Sequence, residues 1–315
     1  MRAAVAAAVA VRRTIGIAAA ASQPRTPVRF DVPSGACDCH THIFGDPARF
    51  SFAGDRVYTP EPASIEEMRT LHAALRMDRV VIVQPSVYGT DNACTLDAVR
   101  RLGTRARAVA VIDDKISGGV LDAMHKAGVR GTRINLATSG QTDAAAARHR
   151  LQTAIEQLGG RPWHIQMYTT LQVIDGIRDQ VAASPIPIVF DHFCGAQAPA
   201  GIDQPGFAAL LNLVRTGKAY VKISGAYRSS NAQPDYADVA PLAKALIAAN
   251  PQRILWGSDW PHPDSARVGG RKPTDIAPLL QIDDGRVLNQ MTVWAPDSAQ
   301  RKTILVDNPA RLYGY

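Results

Sequence analysis

Cysteine is scarce in this chain: four in 315 residues, at Cys37, Cys39, Cys94 and Cys194. Their spacing matches neither a paired zinc-binding motif nor a disulfide framework, which excludes a stapled scaffold. They read as small buried apolar residues. Charge is sparse as well, 20% of residues against 46% apolar, which excludes a disordered chain. No stretch approaches the roughly 18 consecutive apolar residues of a membrane span. No Gly-x-Gly-x-x-Gly follows the first apolar run, which counts against a dinucleotide fold. Acidic residues are missing altogether from residues 1–30, which carry Arg2, Arg12, Arg13, Arg25 and Arg29. Without that segment the formal charge of +7 falls to +2. No basic stripe interleaved with aromatics remains, so the charge is no sign of nucleic-acid binding.

Residues 1–30 therefore read as an N-terminal extension, with a globular domain over 31–315. Arg12-Arg13 followed by an Ala-rich run fits a short twin-arginine export signal, and equally a disordered extension. The expected location is cytoplasmic, or periplasmic if the extension acts as a signal.

Eight short apolar, β-branched runs recur, at 36–40, 79–85, 107–112, 129–136, 163–168, 187–192, 219–225 and 253–260. Amphipathic stretches such as 64–77, 91–102, 118–127, 143–157 and 236–249 lie between them. Ser64 with Glu67 three residues on has capping-box spacing. Strand–helix alternation implies parallel strands with crossover helices. Eight such units predict a single-domain (β/α)8 TIM barrel.

In such a barrel the polar residues that end buried strands converge on one mouth. The candidates are His40 and His42 after strand 1, Ser86 to Asn92 after strand 2, and Arg133 on strand 4. Tyr168 ends strand 5, Asp191-His192 end strand 6, Tyr227-Arg228 follow strand 7, and Asp259 ends strand 8. Alternation places His40 and His42 on one face and Cys37 and Cys39 on the other. His72, His125 and His149 fall in helices and are expected at the surface. Asp91 and Asn92 read as an N-cap and Trp256 as core; His262 reads equally as a residue lining the site and as a support for Asp259. His164 lies at the start of its strand, away from the mouth.

His-x-His on strand 1, the strand 6 His and Trp256-Gly257-Ser258-Asp259-Trp260-Pro261-His262 resemble the amidohydrolase superfamily, in its amidohydrolase 2 branch. Segments 57–60, 89–92, 127–131 and 306–313 are most similar to the 2-pyrone-4,6-dicarboxylate lactonase and sulfomuconolactone hydrolase group. The resemblance spans about 33–313. It implies a lactone hydrolase of aromatic-compound breakdown acting on an anionic, carboxylated or sulfonated, muconolactone-like substrate. Asp259 would be the general base, with His40, His42 and His192 around the carbonyl. Arg133, Arg228, Tyr168, Tyr58 and Ser86 would hold the substrate. The dicarboxylate lactonase carries a second arginine six residues after the first; this chain has Ser139 there.

The superfamily usually binds divalent metal. Arg133 and Tyr168 stand where it would use ligands, and Arg133 cannot ligate. The resemblance to a metal-independent group implies that no cofactor is required. The alternative is Zn²⁺ on His40, His42, His192 and Asp259. A galactarolactone-type isomerase and a zinc-dependent amidohydrolase are the alternative functions. The expected partner is a small anionic lactone only, with no nucleic acid or membrane, in a monomer or small homo-oligomer.

Overall fold

A computed structural model of the protein describes residues 21–265 and 270–315. Eight parallel strands pair in chain order: β1 (Cys37–Thr41), β2 (Arg79–Val83), β3 (Ala106–Ala110), β4 (Val129–Asn135), β5 (His164–Tyr168), β6 (Ile188–Phe190), β7 (Ala219–Ser224) and β8 (Ile254–Gly257). The ring closes through a parallel bridge between Thr41 and Trp260. There His42 N donates to Trp260 O at 2.8 Å and Asp259 N donates to His40 O at 2.9 Å. The expected TIM barrel is therefore the fold. The crossovers are helices α1 (Ile65–Leu75), α2 (Ala93–Leu102), α3 (Gly118–Lys126), α4 (Ala144–Leu158), α5 (Leu171–Ala183), α6 (Phe207–Arg215) and α7 (Ala240–Ala249).

Local chemistry sets these elements. Ser64 and Glu67 form the expected capping box at α1: Glu67 N donates to Ser64 Oγ at 3.2 Å, and Ser64 N to Glu67 Oε2 at 2.8 Å. Strands covered on both faces need apolar residues in both phases. Val80 and Ile82 belong to the large core shared with the helices, while Val81 and Val83 join an inner cluster. Tyr313 packs into that inner cluster, and Tyr315 Oη donates to Val80 O at 2.6 Å. The C-terminus thus stops the end of the barrel opposite the mouth.

Two expectations about facing are corrected. Cys37 and Cys39 lie in the inner cluster with Val81, Val109 and Leu255, not on the outer face. The β1–β2 register slips between Asp38 and Thr41, where β1 holds one extra residue, so Cys39 and His40 both reach the interior. His72 is buried, not at the surface, and its Nε2 sits 3.2 Å from Asp38 Oδ2. His149 is exposed and His125 half-buried.

Residues 21–30 pack against the barrel. Ala21 N donates to Glu67 Oε1 at 3.2 Å, Trp260 Nε1 to Ser22 O at 2.9 Å, and Thr26 Oγ1 to Asp283 Oδ2 at 2.7 Å. The Arg12-Arg13 signal reading lies outside the described residues. No helix among the described residues is long and apolar enough to cross a membrane.

Candidate active site

The site is built where β1 and β8 meet. His40, His42, His192 and Asp259 are all buried. One carboxylate oxygen, Asp259 Oδ1, lies 3.7 Å from the Nε2 atom of each of His40, His42 and His192. The other, Oδ2, accepts from Arg228 Nε at 2.6 Å and Tyr227 Oη at 2.8 Å. Neither Asp259 Oδ1 nor His40 Nε2 has a hydrogen-bond partner among the described residues. Glycine is required on both sides of this focus. A Cβ on Gly257 would lie 2.7 Å from His40 Cβ, and one on Gly225 (φ +58) would lie 2.9 Å from Asp259 Oδ2.

Each imidazole is held from behind. His42 Nδ1 meets Val83 O at 2.8 Å. A carbonyl only accepts, so Nδ1 carries the hydrogen and the neutral ring turns a bare Nε2 lone pair to the centre. His192 Nδ1 meets Ser224 Oγ at 3.0 Å. His40 Nδ1 lies between Asp191 Oδ1 at 3.3 Å and Lys222 Nζ at 3.4 Å. Burial disfavours the imidazolium in all three. It lowers His42 to about 3 and His192 to about 4, and it holds His40 well below the usual histidine range.

Burial alone would raise the Asp259 carboxyl. The Arg228 guanidinium, together with the His192, His40 and His42 rings, outweighs it and holds Asp259 well below the usual carboxylate range. Asp191 follows the same logic. Burial opposes its charge, but the adjoining His40 ring with Lys222 and Arg133 keeps the carboxyl well below normal. Arg133 gives Asp191 Oδ2 two bonds, from Nε at 3.2 Å and Nη2 at 3.1 Å. Arg133 is thus already paired, which its expected role in gripping substrate did not anticipate. Its guanidinium carbon and that of Arg228 lie 5.6 and 5.9 Å from the Tyr168 ring centroid.

The mouth is lined by His42, Tyr58, Ser86, Arg133, Tyr168, His192 and Arg228, so the expected substrate residues converge with the histidines. Tyr58 is pushed up to about 12 by burial and stays a neutral phenol. Asn135, Thr138, Pro263 and Ser265 also line it. Ser139 does not: it is exposed, and its Oγ donates to Leu136 O at 3.0 Å. Asn92 differs from its expected capping role. Its side chain bonds the Val111 backbone, and Asp91 Oδ1 instead accepts from Ala93 N at 3.0 Å. His262 supports the site indirectly: its Nε2 lies 2.9 Å from Asp284 Oδ2, and its ring packs edge-on against Tyr227. His164 is at the far end of its strand, as expected.

Lys222 and Gln166 escaped the sequence reading. Lys222 Nζ donates to Gln166 Oε1 at 2.6 Å and lies 3.7 Å from Asp191 Oδ1. A signal existed for Gln166, which sits two residues before the candidate Tyr168, so period-2 alternation puts it on the same face; Lys222 stands likewise two residues before Ser224, which holds His192. A lysine inside a buried apolar strand is rare unless paired.

The described residues include two donor groups able to hold a metal ion, His40 with His42 and Asp259, and His40 with Asp191 and His192. In a tetrahedral zinc site with bonds of about 2.0–2.1 Å, ligand atoms stand about 3.4 Å apart. The 3.7 Å spacing around Asp259 Oδ1 is close to that. The bare His42 Nε2 and the two unpartnered atoms fit a cation at the centre.

The amidohydrolase family model matches residues 37–315. The chain belongs to the amidohydrolase family. It is 35% identical over 291 residues to 4-sulfomuconolactone hydrolase of Hydrogenophaga intermedia, covering 91% of both chains. It is 34% identical over 303 residues to 2-pyrone-4,6-dicarboxylate hydrolase of Comamonas testosteroni, covering 93% of this chain and 94% of the relative. A solved structure from Agrobacterium tumefaciens superposes with a TM-score of 0.74 at 28% identity, covering 93% of this chain and 98% of the other. The solved structure shares the barrel over nearly its whole length.

Proposed function

We propose that this amidohydrolase hydrolyses the ring ester of an anionic, muconolactone-like lactone. The observation that carries the reading is Asp259 Oδ1, a buried carboxylate oxygen with no hydrogen-bond partner among the described residues, set against His42 and His192, which line the mouth with Arg133 and Arg228. The names of the two hydrolase relatives, each matched over nine-tenths of its length, point the same way.

The chemistry follows from the donors. Asp259 takes a proton from water as the water oxygen bonds to the lactone carbonyl carbon. Tyr227 and Arg228 fix the Oδ2 side, so Oδ1 is the basic atom. The developing oxyanion needs donors. Nε2–H groups of His40 or His192 can supply them, because His40 Nδ1 lies between an acceptor, Asp191 Oδ1, and a donor, Lys222 Nζ, and His192 Nδ1 faces the Ser224 hydroxyl, so that both rings can take either tautomer. The ring C–O bond then breaks, and Asp259 returns its proton to the leaving oxygen. The new carboxylic acid ionises and releases one proton to solvent. Lys222, Arg133 and Arg228 outnumber Asp191 and Asp259, so the pocket keeps one positive charge in excess and attracts an anion.

The sequence resemblance implies that this proceeds without a metal. The unpartnered His40 Nε2 and Asp259 Oδ1 favour a second reading, in which His40, His42, His192 and Asp259 hold zinc. A bound zinc ion would polarise the carbonyl and lower the pKa of water.

One experiment separates these readings. Purified protein is assayed with a pH indicator on a panel of carboxylated and sulfonated lactones, before and after dialysis against chelator, with metal content measured in parallel. Hydrolysis releases one proton per turnover, whereas an isomerase releases none. Activity retained by metal-free protein supports the Asp259-only mechanism. Loss restored by zinc supports the second. No turnover of any lactone would sink the proposal.

A further inference from the structure

We propose that Asn135 and Thr138 form the specificity-determining wall of this pocket, binding a second substituent of the lactone through uncharged donors. The proposal rests on the lactone reading above and names what that site accepts. Asn135 lies two residues beyond Arg133 on β4, so its side chain projects from the same face one step nearer the mouth. It pairs with Tyr168 across the β4–β5 ladder, and Thr138 follows in the connecting turn. Both residues line the cavity and are half-buried.

The hydrogen bonds of this pair leave two donors over. Asn135 Oδ1 accepts from Thr138 N at 3.1 Å, and Asn135 Nδ2 donates to Thr138 Oγ1 at 3.0 Å. An amide nitrogen carries two hydrogens and a hydroxyl one. The second N–H of Asn135 and the O–H of Thr138 therefore have no acceptor among the described residues. The turn fixes both side chains, so little entropy is lost when a ligand oxygen takes them.

Charge decides what that oxygen belongs to. The cations lining the cavity are Arg133 and Arg228, each already bonded to a buried carboxylate, Asp191 and Asp259. Lys222, buried behind them beside Asp191, adds the one excess positive charge, enough for one compact carboxylate. A second compact carboxylate at the Asn135–Thr138 wall would be desolvated without a counter-charge, which proteins avoid. A sulfonate spreads its charge over three oxygens in a tetrahedral array and accepts readily from separate neutral donors. The wall thus selects a charge-diffuse group such as a sulfonate over a carboxylate.

The test compares kcat/KM for three lactones: muconolactone with one carboxylate, 4-sulfomuconolactone, and 2-pyrone-4,6-dicarboxylate. Wild-type protein is expected to favour the sulfonated lactone over the dicarboxylate by at least about tenfold. Thr138→Val removes the free O–H and leaves the Asn135 Oδ1 bond to the backbone. Asn135→Asp keeps that bond and replaces the free N–H with a like charge. Each should lower the ratio of sulfonated to plain muconolactone by about tenfold, chiefly through KM. Thr138→Arg should raise the dicarboxylate relative to the sulfonate. Lactone turnover with this ratio unchanged in both Thr138→Val and Asn135→Asp overturns the wall alone. A wild-type enzyme that turns over none of the three overturns the lactone reading with it.

Discussion

Replacing Asp259 with asparagine tests the site at its centre. Oδ2 accepts from Arg228 and Tyr227, while Oδ1 accepts from no described residue. An asparagine seated with its carbonyl oxygen toward Arg228 and Tyr227 keeps both bonds. Its NH₂ then faces the three Nε2 atoms that now surround Oδ1. The backbone there has φ +68, a conformation that asparagine tolerates better than most residues. Asp259→Asn should therefore fold normally. The amide cannot accept the proton, and losing a general base costs ~10²–10⁴ in rate, about 3–5 kcal/mol of barrier. Charge moves the other way. Removing one carboxylate raises the positive excess from one to two, so an anionic lactone should bind at least as tightly. Single-turnover kinetics with equilibrium binding of the lactone read both quantities. A kcat within tenfold of wild type would refute Asp259 as the base. Lost binding with preserved turnover would refute the charge argument.

Arg133→Met should lower stability by about 3–5 kcal/mol, toward the low end because Lys222 still neighbours Asp191, as the buried Asp191 loses its guanidinium; an unchanged denaturation midpoint would show that Asp191 does not need it. Gly225→Ala should cut turnover on the order of 10²-fold, because its Cβ would press Asp259 Oδ2 and His192 Nδ1 out of place; a crystal structure with an unmoved site and full activity would contradict this. Acid should destabilise the protein through His164, which burial and then the Lys222 charge lower to about 3. Between the unfolded value near 6.5 and about 3 the unfolded chain binds more protons, so stability is full above the unfolded value and falls as pH drops, by about 2 kcal/mol at pH 5. His164→Gln should flatten that part of a stability–pH curve, and an equally steep curve in the variant would exclude His164 as its source.

What the sequence made legible was local. Strand ends, the Ser64–Glu67 box and the convergence of His40, His42, His192, Arg133, Arg228 and Asp259 all follow from periodicity along single segments. What it concealed depends on pairing between segments. The extra residue in β1 is a property of its register against β2, and it alone turns Cys39 and His40 into the same interior. Arg133 looked free because nothing in its own strand announces Asp191 on another. His72 has an ordinary helical position, and only the fold brings it to Asp38. Ser139 was placed by counting residues from Arg133, but the chain turns at 136–139 and presents Thr138 instead.

Backbone strain is stored at and beside the site. Asp259 (φ 68), His262 (φ 59) and His192 (φ 49) are all non-glycine residues in the left-handed region. Each costs on the order of 1–3 kcal/mol and persists only if its surroundings over-determine it. For Asp259 the constraint is Asp38. That buried carboxylate accepts from His40 N at 3.2 Å, Ser258 N at 2.9 Å and Ser258 Oγ at 2.6 Å, with His72 Nε2 3.2 Å away. One side chain thus ties the strand bearing the His pair to the strand bearing the base, at the seam that the Thr41–Trp260 bridge spans. If the seam opened by a single slip, Asp259 would lose its distances to His40 and His42 together. The buried polar cluster of Asp38, Ser258 and His72 contacts no reacting atom, yet it holds the closure on which the distances around Asp259 depend. The site is therefore a consequence of how β1 and β8 are joined, and not of the residues that end them taken one strand at a time.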